Sequence, residues 1–518
     1  MFDILIKNGT IVDGLRNKPY KSSIGIKNGR IVKISSNLKE EDAREIIDAE
    51  NLVVAPGFID IHTHSDTSFL MDNRSESKIF QGVTTEVVGQ CGYSYYMNSE
   101  EIEKINRDIN NSSILRDFIE KANKENKKMS INWATFVGHN SIRVSVMGQE
   151  GRKATKEEIN KMVELLNREM EAGAWGLSLG LGYPPGIFSD IEELVALGEV
   201  VAKHNGMISS HMRNQGARIY EALDEMFEIN RQTKAHVHIS HLKLSGRPQW
   251  GKAEELLKFL KDAQAEGINV TSDIYPYEAA SSGITNVLPK WALAGGDEGA
   301  VARFKTEERE KIIAELWESF QDPTYADRIY IVSTNGLYPI ADDKTIRELS
   351  EELNISPAEA VEQIVVNTNG NCNQICFAMD EKDMLRMIRE IDIAIGSDGS
   401  GLPMSPEENN GKPHPRNFGT FPRFLRLARE HNMMPIEDAV YKMTALSADI
   451  LGFTDRGRLK EDYAADITIF NPNIVSDKAT YKNPFQKPMG IEYVIVNGEI
   501  AVKKGVQTEN RAGEFLLS

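Results

Sequence analysis

Cysteine is scarce in this sequence: Cys91, Cys372 and Cys376 are the three thiols among 518 residues. Three are too few for the disulfide framework of a secreted domain, so they indicate a reducing compartment. The opening residues, MFDILIKNGTIVDG, lack the basic start and apolar core of a secretory signal. No uninterrupted apolar run approaches the ~18 residues that a membrane span requires. These absences predict a soluble, cytoplasmic protein without a membrane partner.

Positive charge is also in deficit. The chain has 60 Lys and Arg residues against 77 Asp and Glu residues, which gives a formal net charge of -17. Nucleic acids and anionic membranes are bound by basic surfaces, so this balance argues against either as a partner. A small anionic substrate remains compatible, because it requires only a local Arg or Lys. The hydrophobic content of 41% is ordinary for a soluble protein with a sizeable core.

Both ends of the chain carry short β-branched segments broken by turn residues. Near the start these are DILIKNGTIVDG and SSIGIKNGRIVKIS, and near the end they are AADITIFNP and IEYVIVNGEIAVKKG. Such segments with Asn-Gly turns are typical of strands and hairpins. Because the two ends share this pattern, we predict one small β-sandwich domain made from residues 1–56 and 450–518.

Eight candidate strands alternate with amphipathic helices between these ends. The strands are 57–61, 82–89, 132–138, 174–180, 206–210, 235–240, 268–274 and 392–397. The clearest helix, TKEEINKMVELLNREMEAG, begins with a capping box of Thr155 and Glu158. This alternation predicts an α/β fold with a (β/α)8 TIM barrel over residues 57–449, whose functional residues lie at the carboxyl ends of the strands. The gap before the eighth strand is too long for one crossover, so we predict an inserted subdomain at 285–345.

Four histidines lie at the carboxyl ends of three predicted strands. His62 and His64 follow the first strand, His211 follows the fifth and His241 follows the sixth. A single histidine in such a place is more often a hydrogen-bonded structural residue, but four together indicate a metal site. We interpret five further histidines as structural: His139, His204, His236, His238 and His431.

A cysteine and an aspartate join this group. Cys91 ends the second strand between two glycines; a buried free cysteine is often structural, but its thiolate is also a good zinc ligand. Asp398 ends the eighth strand in a glycine-rich turn, where it is either a turn former or a ligand and general base. Nitrogen, sulfur and oxygen donors together suit zinc, which activates water and polarises carbonyl groups. The set predicts a metal-assisted hydrolase.

Longer motifs extend this interpretation. PGFIDIHTHSD resembles the signature of the amidohydrolase superfamily, and MTALSADILGFTDRGRLKEDYAADITIFNP resembles its C-terminal signature. Within that superfamily the segments GQCGYS, SSHMRNQG, ISHLKLSG, DIYPYEAASS, GSDGSGLP and HPRNFGTFPR are similar to the N-acyl-D-amino-acid deacylases, also called D-aminoacylases. The resemblance covers nearly the whole chain. It implies a distorted eight-stranded barrel and the zinc-dependent hydrolysis of N-acyl-D-amino acids to a carboxylate and a free D-amino acid.

The resemblance also implies how zinc is held. Many superfamily members bridge two metals with a carboxylated lysine from the fourth strand, but AWGLSLGLGY contains no lysine. In the deacylases a cysteine at the second strand takes that place. Cys91 is therefore implied to bind zinc in a tight site, together with His211 and His241.

A second, weaker metal position is implied for His62 and His64, near Asp398. Asp398 is implied to be both a metal ligand and the catalytic acid/base. It would deprotonate a metal-activated water for attack on the amide carbon, and it would then return the proton to the departing amine.

Substrate contacts follow from the same resemblance. Lys243, Tyr275 and Arg416 match positions that hold the α-carboxylate, while Tyr183 and Ser281 match positions near the scissile amide. Tyr183 is expected to stabilise the developing oxyanion. The predicted insert shows no arginine that can be assigned to an acidic substrate side chain.

Two alternatives remain at this point. The site also fits a cyclic amide or ureide hydrolase similar to dihydroorotases and hydantoinases, although the missing lysine and the HLK and HPR motifs argue against it. A non-catalytic scaffold is the other, although every expected ligand is present. The sequence leaves open the acyl group, the D-amino-acid side chain, the number of functional metals and a homo-oligomeric state.

Overall fold

The structure, a computed structural model, describes residues 1–66, 68–97, 113–409 and 411–518. In chain order its strands are β1 (Phe2–Ile11), β2 (Tyr20–Lys27), β3 (Arg30–Ser35), β4 (Ala43–Asp48), β5 (Val53–Pro56), β6 (Phe58–Asp60), β7 (Val83–Val88), β8 (Asn132–Thr135), β9 (Val137–Gly138), β10 (Gly176–Gly180), β11 (Met207–His211), β12 (His236–Ile239), β13 (Val270–Ile274), β14 (Ala280–Gly283), β15 (Ile329–Ser333), β16 (Lys344–Thr345), β17 (Asn373–Cys376), β18 (Ile393–Ile395), β19 (Ile467–Phe470), β20 (Ile491–Val496), β21 (Glu499–Lys503) and β22 (Val506–Gln507).

The α-helices lie mostly between the parallel strands and in the segment before β18. Their bounds are Ser68–Met71, Glu76–Ile79, Ile114–Lys124, His139–Met147, Lys156–Glu171, Ile191–Lys203, Ile219–Thr233, Ala253–Ala265, Gly296–Arg303, Glu308–Ser319, Tyr325–Arg328, Ile346–Leu353, Pro357–Asn367, Glu381–Ile388, Arg416–Glu430, Ile436–Met443 and Ala445–Leu451. None of these helices combines the length and the apolar character that crossing a bilayer demands.

Strands from the two ends of the chain share one sheet. Its order is β22-β21-β20-β19-β5-β1-β2-β3, with β4 also paired to β1. The ends meet where β5 runs antiparallel to β19, with Val54 opposite Ile469. Isoleucines from both ends fill a common apolar cluster beside the sheet, because their side chains alternate to the same face along each strand. The shared sheet agrees with the common pattern of the two ends.

The parallel strands form two further sheets. One has the order β6-β7-β8 and the other has the order β18-β13-β12-β11-β10-β9. Every neighbouring pair in them is parallel. The third predicted strand is divided into β8 and β9 at Phe136, and the other seven predicted strands each coincide with one observed strand. The positions of these strands were therefore predicted correctly from the alternation of strand and helix patterns in the sequence.

Backbone contacts join the outer members of the two parallel sheets. Thr63 forms an isolated parallel bridge with Gly399. The His64 amide donates to the Gly399 carbonyl oxygen at 2.9 Å, and the Asp398 amide donates to the His62 carbonyl oxygen at 2.8 Å. The loops that follow β6 and β18 consequently run side by side, although they are far apart in sequence.

Amphipathic helices cover the parallel strands. The helix Lys156–Glu171 begins with the predicted capping box, in which the Glu158 amide donates to the Thr155 hydroxyl and the Glu158 carboxylate accepts from the Thr155 amide. Its buried apolar side chains recur every three or four residues: Ile159, Met162, Leu166 and Met170. Each such burial contributes roughly 1.5–3 kcal/mol, so packing of this face fixes the helix on the sheet.

The segment between β13 and β18 has a sheet and a core of its own. The sheet order is β14-β17-β15-β16, and an apolar cluster between Ile284 and Cys372 packs on it. The outer strand β14 pairs antiparallel with β17, which lies almost a hundred residues later. The sheet therefore extends on both sides beyond the predicted bounds of 285–345, because its strands come from both flanks of the predicted insert.

A buried ion pair supports the contact between the loops after β6 and β18. Lys78 Nζ lies 2.8 Å from Asp60 Oδ2, and both side chains are fully buried. Lys78 also donates to the Ser397 hydroxyl at 2.7 Å, and the Ser397 amide donates to Asp60 Oδ1 at 2.8 Å. The pair is well hydrogen-bonded, which is the condition under which a buried ion pair is tolerated.

We predict that Lys78→Met lowers the free energy of unfolding by about 3–5 kcal/mol, because it leaves the buried Asp60 carboxylate without its cation. The control is Lys258→Met, since Lys258 pairs with Asp262 on an exposed helix face and such pairs are worth about 0.5 kcal/mol. Chemical denaturation followed by tryptophan fluorescence measures both. Equal losses in the two variants would contradict the importance of the Lys78 pair.

Candidate active site

Six side chains that can ligate a metal gather at the carboxyl ends of the parallel strands. One group consists of His62, His64, Cys91 and Asp398, and a second consists of Cys91, His211 and His241. Within each group the ligand atoms all lie within 4.8 Å of one another. The structure therefore brings together all six residues that the sequence indicates as ligands. Cys91 belongs to both groups.

The Cys91 thiol is surrounded by imidazole nitrogens. Its Sγ lies 3.4 Å from His62 Nε2, 3.5 Å from His241 Nε2 and 3.8 Å from His211 Nδ1. Burial alone raises the pKa of the Cys91 thiol, but the neighbouring His62 and His241 and the hydrogen bonds to histidine outweigh burial and hold the pKa well below its usual range. The thiolate is the form that binds metal. This chemistry, with nitrogen and carboxylate donors beside it, fits zinc.

The backbone is strained where three of these residues lie. Cys91, His241 and Asp398 have φ angles of 53°, 37° and 52°, in the left-handed region that residues other than glycine seldom adopt. Each such conformation costs on the order of 1 kcal/mol or more, and it persists where surrounding contacts impose it. One such contact is the close approach of Gly92 to Gly180. A Cβ on residue 92 would lie 2.7 Å from the Gly180 amide nitrogen, so the approach requires a glycine. The Cys91 turn can thus pack directly on β10.

Asp273 orients two of the histidines, and sequence reasoning missed it. Its carboxylate lies 3.4 Å from His62 Nδ1 and 2.9 Å from His238 Nε2, and it accepts the His241 amide at 3.0 Å. A carboxylate on the outer nitrogen of a ligating histidine turns the inner nitrogen toward the metal. Gln215 plays a similar part, with its amide 3.0 Å from His241 Nδ1. The available signal was the position of Asp273 at the end of β13, the strand that precedes the YPY motif.

Asp398 lies between a histidine and an arginine. Its Oδ1 is 3.0 Å from His64 Nε2, and its Oδ2 is 2.9 Å from Arg416 Nη1. Burial raises the pKa of Asp398, but the charges of Arg416 and His241 and the hydrogen bond to His64 outweigh it, so the pKa lies well below its usual range. The carboxylate is therefore ionised and able to accept a proton.

Lys243 and Arg416 stand over the ring of Tyr275. The Lys243 ammonium is 4.9 Å from the ring centroid and the Arg416 guanidinium carbon is 5.2 Å from it. The Tyr275 hydroxyl and Arg416 Nε are buried and have no hydrogen-bond partner within the described residues. Unsatisfied buried donors of this kind are suited to an anionic ligand.

The metal-ligand cluster and Arg416 open into one cavity, which has a volume of about 1180 Å³. Tyr183 and Ser281 also line this cavity. The Tyr183 ring lies 4.4 Å from the His211 ring, centroid to centroid. Burial, followed by the charges of Cys91 and Asp398, raises the pKa of Tyr183 well above its usual range. Its hydroxyl consequently stays protonated and can donate a hydrogen bond. Ser281 lies on β14 opposite Ile375, so the small sheet of the inserted segment forms one wall of the cavity.

His414, in the HPR motif, links three parts of the site, and sequence reasoning gave it no role. It donates from Nε2 to the Ala279 carbonyl oxygen at 3.1 Å and accepts the Arg416 amide on Nδ1 at 3.0 Å. Its ring packs edge-on against Tyr277 and Tyr481. His414 thereby fixes the start of the helix that carries Arg416 relative to the strand that carries Ser281.

The histidines interpreted as structural lie outside the cluster. His238 contacts Asp273 from the far side, and His139 pairs with Glu193 in a buried contact of 2.6 Å. His236 contacts Thr271, and His204 contacts Asn167. His431 is exposed to solvent.

Comparison with known proteins matches this arrangement to a family. The amidohydrolase family pattern matches residues 45–266 and 394–502. The D-aminoacylase of Alcaligenes xylosoxydans xylosoxydans is 32% identical over 99% of this chain and 97% of its own length. The N-acyl-D-glutamate deacylase of the same organism is also 32% identical, over 99% of this chain and 96% of its own length.

Solved structures agree. A crystal structure of D-aminoacylase, described as defining a novel subset of amidohydrolases, covers 100% of both chains with 31% identity and a TM-score of 0.83. The N-acyl-D-glutamate deacylase of Bordetella bronchiseptica, complexed with zinc and a phosphonate mimic of the tetrahedral intermediate, covers 100% of both with 29% identity and a TM-score of 0.82. The fold is thus the α/β fold of amidohydrolases of the TIM-barrel type. The chain belongs to the amidohydrolase family, in its N-acyl-D-amino-acid deacylase (D-aminoacylase) branch, which confirms the resemblance of the motifs.

We predict that Cys91→Ala loses tightly bound zinc, because Cys91 contributes to both ligand groups. Elemental analysis of the protein after dialysis against metal-free buffer measures the zinc content. The matched control is Cys372→Ala, which removes a buried thiol from the core of the inserted segment and should leave zinc unchanged. Equal zinc in Cys91→Ala and the natural protein would exclude Cys91 as a ligand.

Proposed function

We propose that this protein is a zinc-dependent hydrolase of N-acyl-D-amino acids, releasing a carboxylate and a free D-amino acid. The observation that carries the proposal is the placement of a cationic pair, Lys243 and Arg416, beside the metal-ligand cluster in one cavity. A metal next to a carboxylate-binding corner suits an acylated amino acid, whose amide lies two bonds from its carboxylate carbon. The names of the similar proteins, D-aminoacylase and N-acyl-D-glutamate deacylase, support the same activity.

We further propose that the metal ligands divide between two sites. In our proposal Cys91, His211 and His241 hold the tight zinc, while His62 and His64, with Asp398, hold a second and weaker one. When bound, zinc lowers the pKa of water and polarises a carbonyl group. Asp273 and Gln215 keep the inner nitrogens of His62 and His241 directed at the cluster.

Asp398 is the general acid/base in this proposal. It is ionised, so its carboxylate can take a proton from the attacking water. It then delivers that proton to the amine nitrogen, because an amine leaves poorly without one. The His64 and Arg416 contacts hold one carboxylate oxygen each, which fixes the direction from which the proton is transferred.

The remaining residues orient the substrate. Arg416 and Lys243 bind the α-carboxylate, with the unpartnered Tyr275 hydroxyl as a further donor. The protonated Tyr183 hydroxyl donates to the oxygen of the scissile carbonyl as negative charge develops there. Ser281 lies near the amide on the wall formed by β14.

We also propose a domain arrangement. The parallel strands close into a distorted (β/α)8 barrel over residues 57–449, supported by the bridge between Thr63 and Gly399. Residues 1–56 and 450–518 form the β-sandwich. The insert, predicted at 285–345, extends on its two sides to the strands β14 and β17, which belong to the same sheet. The free thiols and the absence of a spanning helix among the described residues are compatible with the cytoplasm as its location.

Zinc-loaded protein should hydrolyse N-acetyl-D-leucine and leave N-acetyl-L-leucine and hydantoin largely intact. In this proposal the D isomer places its carboxylate on Arg416 and Lys243 while its amide faces Asp398. Hydantoin has no free carboxylate for these two residues. Chromatography measures the leucine released from each acyl-leucine and the N-carbamoylglycine formed from hydantoin. Hydrolysis of hydantoin alone would replace this proposal with the cyclic amide alternative.

Asp398→Asn is expected to lower kcat by about 10²–10⁴-fold, the usual contribution of a general acid/base. An amide cannot take the proton from water, but it retains the size of the carboxyl group. The control is Asp392→Asn, because Asp392 is exposed and lies just before β18; its kcat should be unchanged. Full activity of Asp398→Asn at saturating zinc would refute the assignment.

A further inference from the structure

The family does not define which side chain the substrate carries. This protein is equally similar to a D-aminoacylase and to an N-acyl-D-glutamate deacylase, at 32% identity each. We propose that its cavity accepts N-acyl-D-amino acids whose side chains carry no negative charge and rejects the acidic ones. This inference rests on the proposed function, and it follows from the charges on the cavity wall.

The cations on the wall are few. Among the described residues that line the cavity, they are Lys243, Lys412 and Arg416. Lys243 and Arg416 flank Tyr275 at the corner that binds the α-carboxylate. Every N-acyl-amino acid has that carboxylate, so these two cations are used by all substrates. Lys412 is then the remaining cation for a second carboxylate.

Lys412 already has an anionic partner. Its ammonium lies 2.8 Å from Asp343 Oδ1 and 2.7 Å from Oδ2, so it contacts both carboxylate oxygens. The hydrogen bond from Lys412 lowers the pKa of Asp343, to which the Tyr330 hydroxyl also donates at 3.0 Å. Asp343 belongs to the inserted segment and Lys412 to the loop after β18. The pair therefore links the loop after β18 to the inserted segment. A substrate carboxylate that approached Lys412 would have to compete with Asp343 for this exposed cation.

Negative charge on the wall adds to this effect. Asp297 lines the cavity and accepts a hydrogen bond from the Thr285 hydroxyl at 2.7 Å, and the described residues give it no ion pair. Its charge reaches across to Tyr93, whose pKa is raised first by burial and then by Asp297. Two further lining carboxylates, Asp72 and Glu408, pair with Arg74. A side-chain carboxylate of the substrate that lay near Asp297 would meet an anion instead of a cation.

These charges penalise binding of an acidic side chain more than binding of a neutral one. A glutamate side chain that leaves water for this cavity loses its hydration without gaining a cation, whereas glutamine of the same shape loses much less. Specificity built on an unpaired charge is strong, because the penalty applies to the competing substrate alone. We expect kcat/KM for the amide to exceed that for the acid by roughly tenfold or more.

The experiment compares isosteric substrates on the full-length, zinc-loaded protein. N-acetyl-D-glutamine is measured against N-acetyl-D-glutamate, and N-acetyl-D-asparagine against N-acetyl-D-aspartate, each as kcat/KM. The amide is expected to be preferred in both pairs. A preference for either acid overturns the inference but leaves the proposed function intact. Failure to hydrolyse any N-acyl-D-amino acid, N-acetyl-D-leucine included, refutes the proposed function itself.

Two variants break the Lys412 pair in opposite ways. Asp343→Asn frees the cation on the wall, whereas Lys412→Met frees the anion, and both lose the same contact between the inserted segment and the loop after β18. We expect the ratio of glutamate to glutamine kcat/KM to rise several-fold in Asp343→Asn and not to rise in Lys412→Met. Equal ratios in the two variants would overturn the electrostatic basis of the inference, because loss of the contact alone would then account for any change.

Discussion

The backbone contact between the loops after β6 and β18 is the constraint on which the site depends. It brings His64 within 3.0 Å of Asp398, a residue 334 positions away. The bridge from Thr63 to Gly399 sets the register of the two loops. Without that register, the histidines after β6 would face a cavity that lacks the Asp398 carboxylate.

Charge balance is the second requirement of this buried region. The Lys78–Asp60 pair is fully buried beside the loop contact, and the Arg416–Asp398 pair lines the cavity. Each charge has a partner, because an unpaired buried ion would cost several kcal/mol. On the cavity wall Lys412 is paired as well, with Asp343, although both of these side chains are exposed.

Local patterns in the sequence predicted much of the fold and the main members of the site. Strand and helix periods are properties of short segments, so the elements around Thr155 and the eight strands could be placed. His211 and Cys91 could be recognised because they stand at strand ends. Asp273 and His414 could not, since their roles come from partners in other segments. The extent of the inserted sheet was underestimated for the same reason: β14 pairs with a strand far along the chain.

The sequence by itself determined the order of the elements, the types of ligand and the family, because each is encoded in contiguous residues. The tertiary structure decided which of these groups meet. It placed Cys91 between His62, His211 and His241, and it joined Lys412 to Asp343. Such contacts depend on how loops from distant strands pack together. Their distances follow from the packing of the whole set of strands, which no single segment of the sequence specifies.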